Sequence, residues 1–184
     1  MNFEIMTFTE TKLKGAFIIQ PQKNEDERGF FARTFCQKEF RAMGLNPRVV
    51  QCNISYNKRK GTFRGMHFQV APHEEDKLVS CIQGAMLDYI VDLRKESPTF
   101  KHWIAVELSA ENGLALYVPK TFAHGFITLA DDTTVHYQMS EFYQPDFARG
   151  FRFDDPDINI ELPFPITTVA GKDKKMSGTF VSAD

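Results

Sequence analysis

Short apolar runs with a period of two recur along most of the chain, each cut off by turn residues. Almost none of it carries a helical period. Residues 15–20 (GAFIIQ) read as a strand stopped by Pro21. Residues 24–29 read as a charged turn, and 30–35 (FFARTF) alternate as the next strand. Further strands are expected at 49–55, 62–69, 77–83, 85–93, 103–108, 114–118, 125–129 and 133–142. The turn signals between them are Lys60-Gly61, Gln83-Gly84, Asn112-Gly113 and Asp131-Asp132. One short helix is expected over 38–43, ended by Gly44. From Pro145 onward the chain is richer in Pro and Asp and reads as irregular structure. The pattern predicts an all-β sandwich or barrel, organised as one domain over 1–184.

Composition supports this and narrows the partners. Hydrophobic residues make 42% of the chain and charged residues 25%, which argues against a disordered polymer. The 18 Phe suit sheet packing, with a few available to stack on a ring-shaped ligand. A net charge of -2 gives no support for nucleic-acid binding. Cys36, Cys52 and Cys81 sit in no CxxC or CxxxH pattern, which favours a reducing compartment without structural zinc. Cys52 and Cys81 read as packing residues. No apolar run reaches the length of a membrane span and the N-terminal stretch has no signal-like core, so the expectation is a cytoplasmic protein that does not engage membranes.

The informative residues break the apolar pattern. In FRGMHFQ (63–69), strict alternation puts Phe63, Gly65, His67 and Gln69 on one face and Arg64, Met66 and Phe68 on the other, unless a bulge at Gly65 re-aims them. His67 alone would read as a satisfied core histidine. It is joined, however, by Lys77 at the head of an apolar strand, Asp88 within AMLDYIVDL, His124, and Tyr137. A buried unpaired charge costs several kcal/mol, so these residues are most economically placed around one shared polar cavity.

Three chemistries fit poorly. A metal centre of the cupin kind needs a His-x-His pair and a Glu, whereas this chain offers His67 between Met66 and Phe68, although His124 after Pro119 is similar to the second cupin histidine motif. His73-Glu74-Glu75 lies in a polar, Pro-containing loop and reads as solvated surface. No Gly-x-Ser-x-Gly or Cys–His context marks a nucleophile, and no Gly-x-Gly-x-x-Gly or P-loop is present. What remains suits proton transfer beside a carbonyl. A His acts as base, a carboxylate fixes its tautomer, a Lys stabilises an enolate, and a Tyr returns a proton from the other face. Arg28 and Arg64 are available for a phosphate.

The motifs GFF (29–31), VQCN (50–53), FRGMHFQ (63–69), DKLV (76–79), VDLRKESPTF (91–100), LSAEN (108–112), PKTFAHGF (119–126) and FDDP (153–156) together closely resemble the dTDP-4-dehydrorhamnose 3,5-epimerase family. The resemblance runs from about residue 15 to 173. It implies a cupin-type jelly roll, a homodimer, and epimerisation at C3 and C5 of a nucleotide-linked 4-keto-6-deoxyhexose with no metal or other cofactor. It also implies roles. His67 is the base, Asp173 in GKD (171–173) orients it, Lys77 stabilises the enolate at O4, and Tyr137 is the acid on the opposite face. Arg64 holds the pyrophosphate with His124 nearby, and Arg28, Phe31, Gln51 and Asn53 fall at the nucleotide site. Phe142 stands at a substrate-contact position where relatives often carry Tyr. Cys52 stands for a common Asp, Ile54 for a polar or His residue and Arg33 for a Glu. The proton-transfer set is intact, and the dTDP sugar is the leading substrate. The alternatives are a C3-only epimerase or ketoisomerase on a dTDP, CDP or GDP sugar, and a cupin-like sugar-nucleotide binder without chemistry.

Overall fold

A computed structural model describes residues 6–176, so both ends of the domain expected over 1–184 lie outside the described residues. Its alternating runs build a jelly roll of two antiparallel sheets. The first sheet has the order β1 (Thr7–Glu10), β2 (Phe17–Gln20), β10 (Ala115–Val118), β7 (Lys77–Gln83), β12 (Thr133–Met139), β5 (Gln51–Asn57). The second has the order β13 (Ala148–Gly150), β6 (Thr62–Gln69), β11 (Phe122–Thr128), β8 (Ala85–Asp92), β9 (Trp103–Ser109), with β14 (Thr168–Val169) parallel to β6. A separate hairpin pairs β3 (Lys23–Asp26) with β4 (Gly29–Ala32). No helix among the described residues is long and apolar enough to cross a membrane.

Alternation decides which side chains meet. Val79 and Cys81 of β7, Leu116 and Val118 of β10 and Val135 of β12 face Met86 and Ile90 of β8, Leu108 of β9, and Phe122 and Phe126 of β11. The opposite faces are also covered. Phe151, Ile158 and Ile160 from the irregular C-terminal segment pack on Phe63, Met66, Tyr89, Val91 and Ile127 behind the second sheet. Phe40 of α1 (Gln37–Ala42) and Leu45 cover Ile19, Leu78 and Tyr117 behind the first. Strand β8 is thus buried on both faces, which is why its sequence reads as a nearly unbroken apolar run. Asp88 falls between Met86 and Ile90 on the inward face and is fully buried.

The bulge in β6 sets the phase of the site. His67 pairs opposite His124 and Arg64 opposite Phe126, so three steps on β6 span two on β11. The extra residue lies at Gly65-Met66, and it turns Arg64 and His67 inward together while Phe63 and Met66 both enter the rear core. Strict alternation would have separated Arg64 from His67. Only glycine fits here. Gly65 has φ +138°, and a Cβ on it would lie 2.5 Å from the Cα of Gly125. A Cβ on Gly125 would lie 2.6 Å from Met66 Sδ and 2.9 Å from the Arg64 carbonyl.

Several expectations shift in detail. The charged segment expected as a turn forms strand β3 (Lys23–Asp26), because its backbone pairs with Gly29–Ala32 while its side chains stay in solvent. The strand expected over 30–35 ends at Ala32, and Phe35 instead packs on Phe40 at 4.8 Å. Strand β12 ends at Met139, where the Ser140 hydroxyl takes the Asp76 N–H and the Asp76 carbonyl takes the Ser140 N–H. All three cysteines are free, and Cys52, expected to pack, is exposed on edge strand β5. Polar strand β1, the short β13 and β14, and α2 (Gly171–Lys174) have no strong local signal.

Gly65→Ala is expected to destabilise the fold by ~2 kcal/mol or more, since it combines an unfavourable φ with a backbone clash. Thermal unfolding should show Tm lower by roughly 5–10 °C. Gly171→Ala, whose Cβ meets nothing within 4 Å, should leave Tm nearly unchanged.

Candidate active site

The inner faces of the two sheets enclose a cavity of about 690 Å³. The second sheet contributes Arg64 and His67 from β6 and His124 from β11, and the first contributes Asn53, Lys77 and Tyr137 from β5, β7 and β12. His67 and Tyr137 therefore stand on opposite walls. Asp173 arrives from far along the chain. Strand β14 runs beside β6 with Val169 opposite Phe63, and the turn into α2 delivers the carboxylate to His67.

His67 Nε2 lies 2.9 Å from Asp173 Oδ1. Burial pushes the Asp173 carboxyl up, but the hydrogen bond and charge of His67, the charge of Lys172 and the Gly65 N–H together draw it below the ordinary carboxylate range. An ionised Asp173 only accepts, so Nε2 carries a proton, and the nitrogen whose lone pair is free when the ring is neutral is Nδ1. An imidazole held in this way can serve as a base in one set tautomer.

A second His–carboxylate pair lies beside it. His124 Nε2 is 2.7 Å from Asp88 Oδ1, while Asp88 Oδ2 is buried with no hydrogen-bond partner among the described residues. Burial pushes the Asp88 carboxyl up, and the His124 hydrogen bond and the charges of His124 and Lys77 offset only part of that. Tyr137 sits edge-on to His124, with ring centroids 6.1 Å apart. Burial and the charge of Asp88 raise the Tyr137 phenol well above its ordinary value, against smaller opposing effects of the Ser55 hydroxyl and Arg64. Tyr137 is accordingly a protonated donor at neutral pH. Lys77 Nζ lies 2.8 Å from Glu75 Oε1, both side chains being buried. Arg64 is steadied by its Nε–H donating to Asn57 Oδ1 at 2.8 Å.

His67, Lys77, Tyr137, Asp173, Arg64, His124 and Asn53 are thus gathered on one cavity. Gln51 and Phe142 stand beside it. Gln51 Oε1 accepts the N–H of the lining residue Tyr143, and the Phe142 ring is 51% exposed. Arg28 and Phe31 lie on the β3–β4 hairpin and do not line the cavity; Arg28 pairs with Asp26 and Phe31 is 67% exposed. Glu75, read from sequence as solvated surface, is a lining residue and buried. The signal for it was its position two residues before Lys77, which places both on one face of an extended chain. Among the described residues, no group of three or more His, Cys, Asp or Glu side chains is set to hold a metal ion.

Residues 10–179 match the family model described as dTDP-4-dehydrorhamnose 3,5-epimerase. A curated protein of that name from Methanothermobacter thermautotrophicus is 45% identical over 156 residues, spanning 85% of this chain and 83% of the relative. Among solved structures, dTDP-4-dehydrorhamnose 3,5-epimerase from Elizabethkingia anophelis superposes with a TM-score of 0.90 at 39% identity, covering 95% of this chain and 96% of the other. A dTDP-6-deoxy-D-glucose-3,5-epimerase from Legionella pneumophila, solved in complex with dTDP-4-keto-L-rhamnose, gives a TM-score of 0.88 at 35% identity, with 94% and 92% coverage.

The lowered Asp173 carboxyl links the site to stability. A group depressed in the folded state stabilises above its unfolded value of 3.8, and that stabilisation is lost as pH falls through the lower folded value. Urea titrations should show wild type more stable than Asp173→Asn at roughly pH 5, with the margin narrowing below about pH 4. A margin that did not narrow below about pH 4 would contradict an ionised Asp173.

Proposed function

The chain belongs to the dTDP-4-dehydrorhamnose 3,5-epimerase family, and on that premise we propose that its cavity converts dTDP-4-dehydro-6-deoxyglucose to dTDP-4-dehydrorhamnose through an enolate. The observation that carries this reading is the base and the acid on opposite walls, His67 on the second sheet and Tyr137 on the first, with Lys77 lining the same cavity.

C3 and C5 both flank the C4 ketone, so a proton on either carbon is acidified by the same carbonyl. His67 takes that proton, and Asp173 stabilises the imidazolium that forms. Electron density moves onto O4, where the Lys77 ammonium holds the developing charge. Tyr137 then gives its proton to the carbon from the other side, which inverts the centre. The imidazolium and phenolate are reset by solvent, so the inverted carbon carries solvent hydrogen. No electrons leave the substrate, and polarisation of the carbonyl falls to Lys77, so the reaction needs no metal or redox cofactor. Arg64 is assigned to the pyrophosphate with His124 nearby. Gln51, Asn53 and Phe142 are assigned to the nucleotide and substrate around the mouth.

A homodimer is part of the proposal. Phe30 and Phe31 on the hairpin are 59% and 67% exposed, and Ile54 and Tyr56 on edge strand β5 are 67% and 50% exposed. A second copy would cover these rings and the open edge. Arg28 and Phe31 stand outside their own chain's cavity, so any nucleotide contact they make is one between subunits. Light scattering at micromolar protein should return twice the mass of one chain, and Ile54→Asp should lower it. A monomeric wild type would sink the dimer.

Solvent deuterium tests the chemistry. His67→Ala should lose both turnover and deuterium incorporation at C3 and C5, by ~10²- to 10⁴-fold. Tyr137→Phe should lose turnover but retain exchange, because the enolate still forms and is reprotonated from the side it came from. Lys77→Met should lower both together. Exchange confined to C3 in wild type would replace this reading with a single-site epimerase. Equal loss of exchange in Tyr137→Phe and His67→Ala would reverse or remove the acid and base roles.

A further inference from the structure

Glu75 sits in the loop between β6 and β7, yet its residue is only 8% exposed and its side chain borders the cavity. We propose that Glu75 is a positioning residue that holds the Lys77 ammonium aimed at the reacting oxygen. The proposal rests on the enolate role assigned to Lys77 above.

The geometry is that of a built support. Glu75 Oε1 takes the Lys77 ammonium at 2.8 Å, and Oε2 accepts from Gln69 Nε2 at 3.2 Å. Gln69 is itself fixed. Its amide nitrogen also lies 2.9 and 3.2 Å from the carbonyls of His73 and Phe142, which share its two protons with Glu75, and its own oxygen accepts the Gln144 N–H at 2.6 Å. Both carboxylate oxygens are therefore held by groups whose directions are set by β6, β7 and the segment after β12.

Lys77 needs this support because it is 6% exposed. An ammonium taken out of water loses its preference for the charged form unless an anion stands beside it. Asp88 is the other carboxylate acting on Lys77, but it does so through charge alone and is hydrogen-bonded to His124. Glu75 is the direct partner. It occupies one of the three ammonium protons and so leaves two for an oxygen in the cavity.

A carboxylate beside a forming enolate is not neutral in effect. With Lys77 present, Glu75 supports the cation that stabilises the enolate. With Lys77 gone, the same carboxylate is a bare negative charge next to it. Removing the Glu75 charge should then have opposite consequences in the two backgrounds, a reversal that a merely structural role would not produce.

The test measures kcat, KM and deuterium exchange with dTDP-4-dehydro-6-deoxyglucose for Glu75→Gln, Lys77→Met and the double variant. Glu75→Gln keeps the shape and removes the charge. It should lower kcat and exchange in equal proportion by roughly 10- to 100-fold, with KM changed by less than about threefold. In the Lys77→Met background, the same change should raise kcat severalfold. Wild-type kcat in Glu75→Gln, or independent losses that multiply in the double variant, would overturn the proposal and leave the epimerase reading standing. Wild-type kcat in Lys77→Met would overturn the enolate role of Lys77 and this proposal with it. If Glu75→Gln does not fold, Glu75→Asp carries the test, because it keeps the charge but withdraws it by one methylene. A loss of kcat at constant KM supports the proposal, and wild-type kcat overturns it.

Discussion

The close crossing of Gly65 and Gly125 is the contact on which the site depends. Two strands of the second sheet meet with no room for a Cβ on either glycine, and the bulge at that crossing re-phases β6. Before the bulge, Phe63 points to the rear core and Arg64 to the cavity; after it, Met66 points to the rear and His67 to the cavity. The bulge thus lets one strand give two adjacent polar groups to the interior while keeping two large apolar groups behind it. The Gly65 N–H also contributes to holding Asp173 ionised. The same residue that sets the phase of His67 helps fix the carboxylate in contact with it.

The cavity solves an electrostatic problem through pairs. Asp173, Asp88 and Glu75 are nearly or fully buried carboxylates, and each has a nitrogen base in contact: His67, His124 and Lys77 respectively. Unpaired, these carboxylates would repel a substrate carrying a pyrophosphate and an enolate in formation. Paired, they set the tautomer of one imidazole and support one ammonium, leaving Arg64 for an anion. Asp88 differs from the others in having one oxygen without a hydrogen bond, and it is also the carboxyl that burial pushes upward. The Tyr137 phenol stays protonated first because it is itself buried and then because of the charge of Asp88.

The fold was largely legible because alternation is a strong signal where one face is buried, as in β12, and a short apolar run between turn residues is one where both faces are, as in β8 and β10. It failed where pairing, rather than side-chain burial, makes the strand. Lys23–Asp26 is a strand with mostly exposed side chains, and its charged sequence resembles a turn for that reason. The C-terminal segment has little local periodicity because it packs as a cover on Tyr89 and Ile127. Polar residues inside apolar strands marked His67, Lys77, Asp88 and Tyr137, since burying such groups demands a partner. Glu75 escaped because its neighbours His73 and Glu74 are polar and its burial comes from contact with Gln69 and Lys77, a tertiary fact. The resemblance, not spacing, was the route to Asp173, which lies in a four-residue helix with no strand pattern around it.

The two-sheet architecture bears directly on why proposed proton transfer gives inversion rather than exchange alone. A base and an acid on one strand would approach the sugar from the same side, and a proton removed there would be returned there. On the proposed mechanism the base, His67, comes from the second sheet and the acid, Tyr137, from the first, with the ring between them. Sheet separation thereby becomes stereochemistry. The two reacting carbons add a further constraint, because both flank C4. On the proposed mechanism one ammonium at O4 serves either enolate, provided the ring can turn about that oxygen to bring C3 or C5 against His67. The part of the site that must stay fixed is then Lys77, and Lys77 is anchored by a buried carboxylate held on both of its oxygens.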